Sequence, residues 1–436
     1  MRQFPVDWCG LWACGDCNIR RKPLPCGCAC IRAAVCAILS PPDWEKLMRH
    51  ILLAAALIGL AAPVSSYAQD KSDIVVGTIT DLSGPAAVYG HAVVNAMRLR
   101  FDAVNAAGGI RGRKLKLVVE DHQFQVPRAV QAASKLLKLD RAQVFVGSLG
   151  TSQVQAVLPH LRQAGVANLF PMAASRELVH APDSISWISG SLYYDQIRAG
   201  VKWMVETKSK QAICVMAQST DYGEEVQQAV KDQLAQHGQS IKAVVTHRPI
   251  DTDFSAPVQR LRNTGCDLVV LATLLRDTIL PMAAARTSGW DVDFLGPSTT
   301  HDYLLASAPG GATQGLYSVS SVALPDRATA PAEVVAWMDA YKARFGAEPN
   351  AGAIYGATIA DLAVLALDRA GGDTSMAKLT RGVASIRGWR DLFGGTLQAF
   401  GDGGRQGTRQ AYVYQLRGAR YEKLTSEAVG YQAGLR

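Results

Sequence analysis

From Asp73 onward, short apolar runs of strand length alternate with segments whose apolar residues recur at helical spacing. Ile74 to Ile79 is a β-branched run closed by the Ser83-Gly84-Pro85 turn. Val93, Met97, Phe101 and Val104 then recur three or four positions apart, and Gly108-Gly109 ends that helix. Leu115 to Val119 reads as the next strand, Ala129 to Leu139 as a helix, Val144 to Val146 as a strand, Ser152 to Ala164 as a helix and Ala167 to Phe170 as a strand. Strands separated by single helices imply βαβ units and a parallel sheet, because a parallel neighbour needs a crossover. The rhythm breaks around Ser184 to Gly190 and restarts. Strands are expected at Ala212 to Ala217, Ile241 to Thr246, Leu268 to Thr273 and Phe294 to Gly296. Helices are expected at Glu224 to His237, Phe254 to Asn263 and Arg276 to Ser288. Two further helices, Pro331 to Phe345 and Ala353 to Arg369, precede a tail from Thr396 that alternates as short strands. Two similar open sheets predict an α/β molecule of two lobes, with a cleft at the carboxyl ends of the strands.

The first seventy residues obey a different composition. Seven of the nine cysteines fall there, at Cys9, Cys14, Cys17, Cys26, Cys28, Cys30 and Cys36. A zinc module fits poorly, since only one C-x-x-C pair occurs and no His precedes His50. Met48-Arg49-His50 opens an uncharged run from Ile51 to Ala62, followed by Ser66-Tyr67-Ala68 with small residues at both cleavage positions. That is the pattern of an export signal, and the run is short for a membrane span. Residues 1–47 therefore read as a doubtful Cys-rich leader, possibly not translated, and 48–68 as a signal peptide cleaved near Ala68. The remaining chain is then expected in the periplasm. Cys214 and Cys266 stay in it, and the sequence leaves open whether they are bonded.

Composition excludes several classes. At 48% hydrophobic and 19% charged, the chain is no candidate for disorder. The net charge of +8 is partly carried by the first 68 residues and is elsewhere scattered, without the basic clusters that nucleic acid requires. There is no Gly-x-Ser-x-Gly, no His-Glu-x-x-His, no phosphate-binding loop and no dinucleotide fingerprint after the first strand, so no enzyme, cofactor or metal site is expected.

Several local patterns occur in a fixed order. They are Ser83-Gly84-Pro85 with Tyr89-Gly90, the turn Asn105 to Lys114, Val146-Gly147, Phe170-Pro171 with Arg176-Glu177-Leu178, Asp221-Tyr222-Gly223 and Asp253-Phe254-Ser255. In this the chain resembles the leucine/isoleucine/valine-binding proteins, type I periplasmic substrate-binding proteins of branched-chain amino acid ABC transporters. The resemblance spans about residues 72 to 420. It implies two Rossmann-like lobes with parallel central sheets, joined by a hinge of three crossovers placed near Gly190, Gly315 and Ala399. Lobe one would be 72–190 plus 316–398, and lobe two 191–315 plus 399–436. The implied function is capture of a small ligand, a hydrophobic or branched-chain amino acid, by a monomer that closes like a Venus flytrap and meets ABC transporter permease subunits. An aromatic carboxylate or amide is the alternative ligand, and a ligand-sensing receptor subunit the alternative role.

A zwitterionic ligand needs an anion site, a cation partner and an apolar pocket. Gly150-Thr151-Ser152 opens a helix, where free N–H groups favour a carboxylate. The resemblance aligns Thr151 with the carboxylate-binding hydroxyl of the family; an ordinary helix cap is the other reading. It places Ala173 and Ser175 in a ligand-binding loop, and Tyr89 and Tyr222 at aromatic pocket positions. It aligns Asp277 with the ammonium-binding acid, one methylene shorter, beside Arg276. A first-turn helix cap is again the other reading of Asp277. Asp121-His122 ends a strand near the cleft mouth, where His122 is expected as a solvated loop residue.

Overall fold

The structure, a computed structural model, describes residues 72–401 and 403–431. The expected leader and signal peptide lie outside the described residues. Five strands, β1 (Ile74–Thr80), β2 (Leu115–Asp121), β3 (Val144–Val146), β4 (Ala167–Leu169) and β5 (Ser186–Trp187), form one parallel sheet in the order β2-β1-β3-β4-β5. Helices α1 (Ala87–Ala106), α2 (Val126–Lys138) and α3 (Thr151–Gln163) make its crossovers. After α4 (Tyr193–Lys208) the pattern repeats with β6 (Ile213–Gln218), α5 (Asp221–Gln236), β7 (Val244–His247), α6 (Ser255–Asn263), β8 (Leu268–Ala272), α7 (Leu275–Thr287) and β9 (Asp293–Gly296). A one-turn α8 (Tyr303–Ala306) leads to β10 (Tyr317–Ser320). Helices α9 (Ala332–Phe345), α10 (Ala351–Arg369) and α11 (Met376–Ala384) precede β11 (Tyr412–Arg417) and β12 (Arg420–Lys423). The second sheet runs β12-β11-β10-β9-β8-β6-β7, antiparallel only at β10-β11-β12.

The central strands are buried along their whole length, β6 and β8 without an exposed residue. Covered on both faces by helices, they carry continuous apolar runs, which is why those runs were legible as strands. Helix α10 returns to the first sheet, where Ile359, Leu362 and Ala363 join Ile74, Val76 and Phe101 in one core. Although long and apolar enough to cross a membrane, α10 is mostly buried as a core helix.

Five elements went unread in the sequence: β5, α4, α8, β10 and α11. Helix α4 breaks the apolar period because Asp195, Gln196 and Arg198 point inward. Each finds a partner: Gln196 donates to Ser191 O at 2.7 Å, Arg198 to Gln233 Oε1 at 3.1 Å, and Gln406 to Asp195. Helix α11 is short, and β10 is only four residues long. Because β10 pairs with β9 and β11, the chain leaves the second sheet after Ser320, not near Gly315. Gly315, with a φ of 82°, is the turn into β10.

The chain passes between the sheets three times, and the three segments are stitched together. Gly190 N–H donates to Gln398 Oε1 at 3.0 Å, Ser191 N–H to Ser321 Oγ at 3.1 Å, and Thr396 N–H to Ser321 O at 2.9 Å. Gly407 N–H closes the set on Ile188 O at 3.0 Å. Within the second half, Cys214 of β6 and Cys266 just before β8 form a disulfide, with their Cα atoms 5.9 Å apart.

Candidate ligand-binding cleft

Both sheets aim the carboxyl ends of their strands at one cavity of about 910 Å³, counting the part open to solvent. The first half contributes Ala86, Tyr89, Phe124, Leu149 to Gln153 and Pro171 to Ala174. The second contributes Tyr193, Gln218, Thr220, Tyr222, Leu274, Ser298 and Thr299. Ser189, from a crossing segment, and Tyr355 and Ile359 of α10 complete the wall.

The same device brings a tyrosine from each half to the cavity. Tyr89-Gly90 and Tyr222-Gly223 lie in the first turn of α1 and α5. A Cβ on Gly90 would stand 1.8 Å from Asp81 O, and one on Gly223 would stand 1.9 Å from Gln218 O. Only glycine lets each helix start pack directly on the strand end before it. Tyr89 Oη then donates across the cleft to Thr299 O at 3.1 Å, and Tyr222 Oη bonds Thr299 Oγ1 at 2.6 Å. Tyr193 meets the Tyr222 ring edge-on with centroids 4.8 Å apart. Burial pushes the hydroxyls of Tyr89, Tyr193, Tyr222 and Tyr355 above the usual phenol range, so all four stay neutral donors at neutral pH.

The helix starts around the cavity differ in how their N–H groups are satisfied. In front of α1, Asp81 accepts from Ser83, Gly84 and Ala86. Thr220 caps α5 and Asp277 accepts from Leu274 N–H at the start of α7. No side chain caps α3, whose first turn of Thr151, Ser152 and Gln153 borders the cavity. Those N–H groups, the Thr151 hydroxyl and the positive end of the helix dipole are the donors that this wall presents to the cavity.

The periplasmic binding protein family pattern matches residues 73–420. The chain belongs to the periplasmic binding protein family. This binding protein is 28% identical over 262 residues to the leucine-specific-binding protein of Salmonella typhimurium, an overlap of 60% of this chain and 70% of that one. Its fold matches a branched-chain amino acid transporter substrate binding protein of Streptococcus pneumoniae, solved with isoleucine, at a TM-score of 0.70 and 21% identity, covering 82% of this chain and 99% of that chain. It matches equally a solute binding protein from R. palustris solved with benzoate, at a TM-score of 0.71 and 17% identity over 83% and 99% of the two chains.

Of the residues singled out in the sequence, Tyr89, Thr151, Ala173 and Tyr222 line the cavity, while Ser175 and Asp277 do not. Ser175 Oγ accepts from Glu177 N–H at 3.3 Å and bonds the Glu225 carboxyl. Asp277 is 3% exposed and caps α7, with both oxygens engaged. Arg276 turns away to Pro249 O at 2.6 Å. His122 is fully buried rather than solvated. One ring nitrogen bonds Leu149 O at 2.9 Å and the other accepts from Phe124 N–H at 3.0 Å, so it braces two cavity-lining residues. Burial lowers its pKa and keeps it neutral. Gln218, Tyr193, Tyr355 and Thr299 escaped the sequence reading. Tyr193 went with the unread helix, and the other three meet at the cavity only through the fold.

The two halves also touch outside the cavity. Glu225 of α5 accepts from Arg176 N–H at 3.0 Å, and the Arg176 guanidinium lies 4.3 Å over the Tyr194 ring. Burial raises the Glu225 pKa to about 7, against the lowering effects of Ser175 and Arg176.

Proposed function

We propose that this chain is an exported solute-binding protein that captures a hydrophobic amino acid or a related carboxylate and delivers it to ABC transporter permease subunits. The two sheets with their helices act as lobes that close about the three crossing segments, bringing the Tyr89–Thr299 and Glu225–Arg176 contacts together in the closed form. The signal-like segment at residues 48–68 supports export to the periplasm. A monomer suffices for this cycle.

One observation carries the reading: an apolar cavity shared by both halves, walled by neutral polar groups and bordered by the uncapped start of α3. The carboxylate would sit at Thr151, and the apolar body against Phe124, Leu149, Met172 and Leu274. The ligands in the relatives' names favour hydrophobic amino acids as probes. The tyrosines and Phe124 favour including aromatic acids such as benzoate. Thermal melting of the purified chain with both panels tests the role. A rise in midpoint with members of either panel is expected, and no rise with any of them refutes it.

A further inference from the structure

Gln218 is the last residue of β6 and lines the cavity. Its Nε2 donates to Asp277 Oδ2 at 2.8 Å. His247 Nε2 bonds the same oxygen at 2.8 Å, and Leu274 N–H donates to Oδ1 at 2.9 Å. The amide nitrogen of Gln218, the only donor atom of that side chain, thus faces Asp277. The amide oxygen is the atom left for another partner. Asp277 itself is buried, has both oxygens engaged and does not line the cavity.

Among the described residues, no acidic or basic side chain lines the cavity. A ligand ammonium enclosed there meets no counter-charge, and burying an unpaired charge is far more costly than burying a hydroxyl that has an acceptor. A carboxylate faces no such deficit, because the start of α3 supplies donors and a positive dipole end.

We propose that Gln218, turned by Asp277 and His247, sets the ligand class of the cavity: an apolar carboxylic acid bearing a hydroxyl or other neutral donor where an amino acid bears its ammonium. The proposal rests on the solute-binding role of the same cavity. Gln218 determines specificity by touching the ligand, while Asp277 and His247 are positioning residues acting through it.

Calorimetric titration with matched pairs tests this: leucine against 2-hydroxy-4-methylpentanoate, and phenylalanine against 2-hydroxy-3-phenylpropanoate. In at least one pair the hydroxy acid binds about tenfold or more tightly than the amino acid, the scale of one well-made hydrogen bond over an unpaired charge. If in neither pair the hydroxy acid binds about tenfold more tightly than its amino acid, the proposal is overturned while the solute-binding role stands. Binding by neither class overturns the proposal and leaves the solute-binding role to the melting panels that include benzoate. Gln218→Met supplies the second readout. It lowers hydroxy-acid affinity about fivefold or more, yet leaves 3-phenylpropanoate, which lacks the hydroxyl, within about twofold. Equal losses for both acids would mark Gln218 as merely structural. If that variant fails to fold, the wild-type ratios decide alone.

Discussion

Breaking the Cys214–Cys266 bond isolates the contribution of one cross-link to the second half of the molecule. The bond joins neighbouring parallel strands across a sequence separation of 52. In the chain-entropy account, closing a loop of that length removes about 4 kcal/mol of conformational freedom from the unfolded chain at 25 °C. Both sulfurs sit in a tight cluster with Met216, Phe254, Val258 and Leu261, so reduction leaves the apolar packing nearly complete. For a cooperative unit the size of the second sheet with its helices, about 4 kcal/mol corresponds to a fall in melting midpoint of roughly 10 °C. The assay is calorimetric melting of residues 69–436 folded under oxidising conditions, with and without a phosphine reductant, beside the Cys214→Ala/Cys266→Ala variant. The reduced chain and the variant are expected to melt together, well below the oxidised chain. Thiol titration in denaturant should find both cysteines blocked before reduction. Two free thiols in that oxidised chain, or a midpoint unchanged by reduction, would refute the reasoning.

Two further outcomes follow from the cleft. Thr151→Ala removes one hydroxyl from the anion site and should weaken carboxylate binding about tenfold, the scale of a hydrogen bond to a charged group, with the unliganded midpoint nearly unchanged; a loss under about threefold by calorimetry would take Thr151 out of the site. Glu225 is an acid whose pKa is raised to about 7 where the two halves meet, from 4.5 when exposed, so it binds its proton more tightly in the closed form. Its contribution to closure is therefore present at low pH and is lost as pH rises through about 7. Ligand affinity should weaken as pH rises from about 4.5 to about 7, and Glu225→Gln should flatten that trend. Arg176, Glu177, Arg162, Asp221 and Glu224 face the same region, so a slope unchanged in the variant would assign it to them.

The parallel strands were legible because burial on both faces demands unbroken apolar runs, and the helices between them because one apolar stripe recurs. Helix α4 was not, since Asp195, Gln196 and Arg198 look like surface residues until their partners are in place. The second crossing was misplaced for a related reason. Gly315 looks like a boundary, but the pairing of Tyr317 to Ser320 with β9 and β11 is a long-range event that leaves little local mark.

Within the site, the positions tied to their own helix starts could be picked out beforehand. Tyr89 and Tyr222 are each followed by the glycine that lets the helix seat on a strand end, and Thr151 opens a helix straight after a strand. The position of Asp277 was equally visible, but its partners were not. Gln218, His247 and Asp277 come from three strand ends and helix starts far apart in the chain, and only the parallel order of β7, β6 and β8 sets them side by side. Local chemistry thus determined the alternation of elements and the residues that cap them. The tertiary structure alone decided which side chains face the cavity, because that depends on which strand ends become neighbours and which charges are satisfied behind the wall.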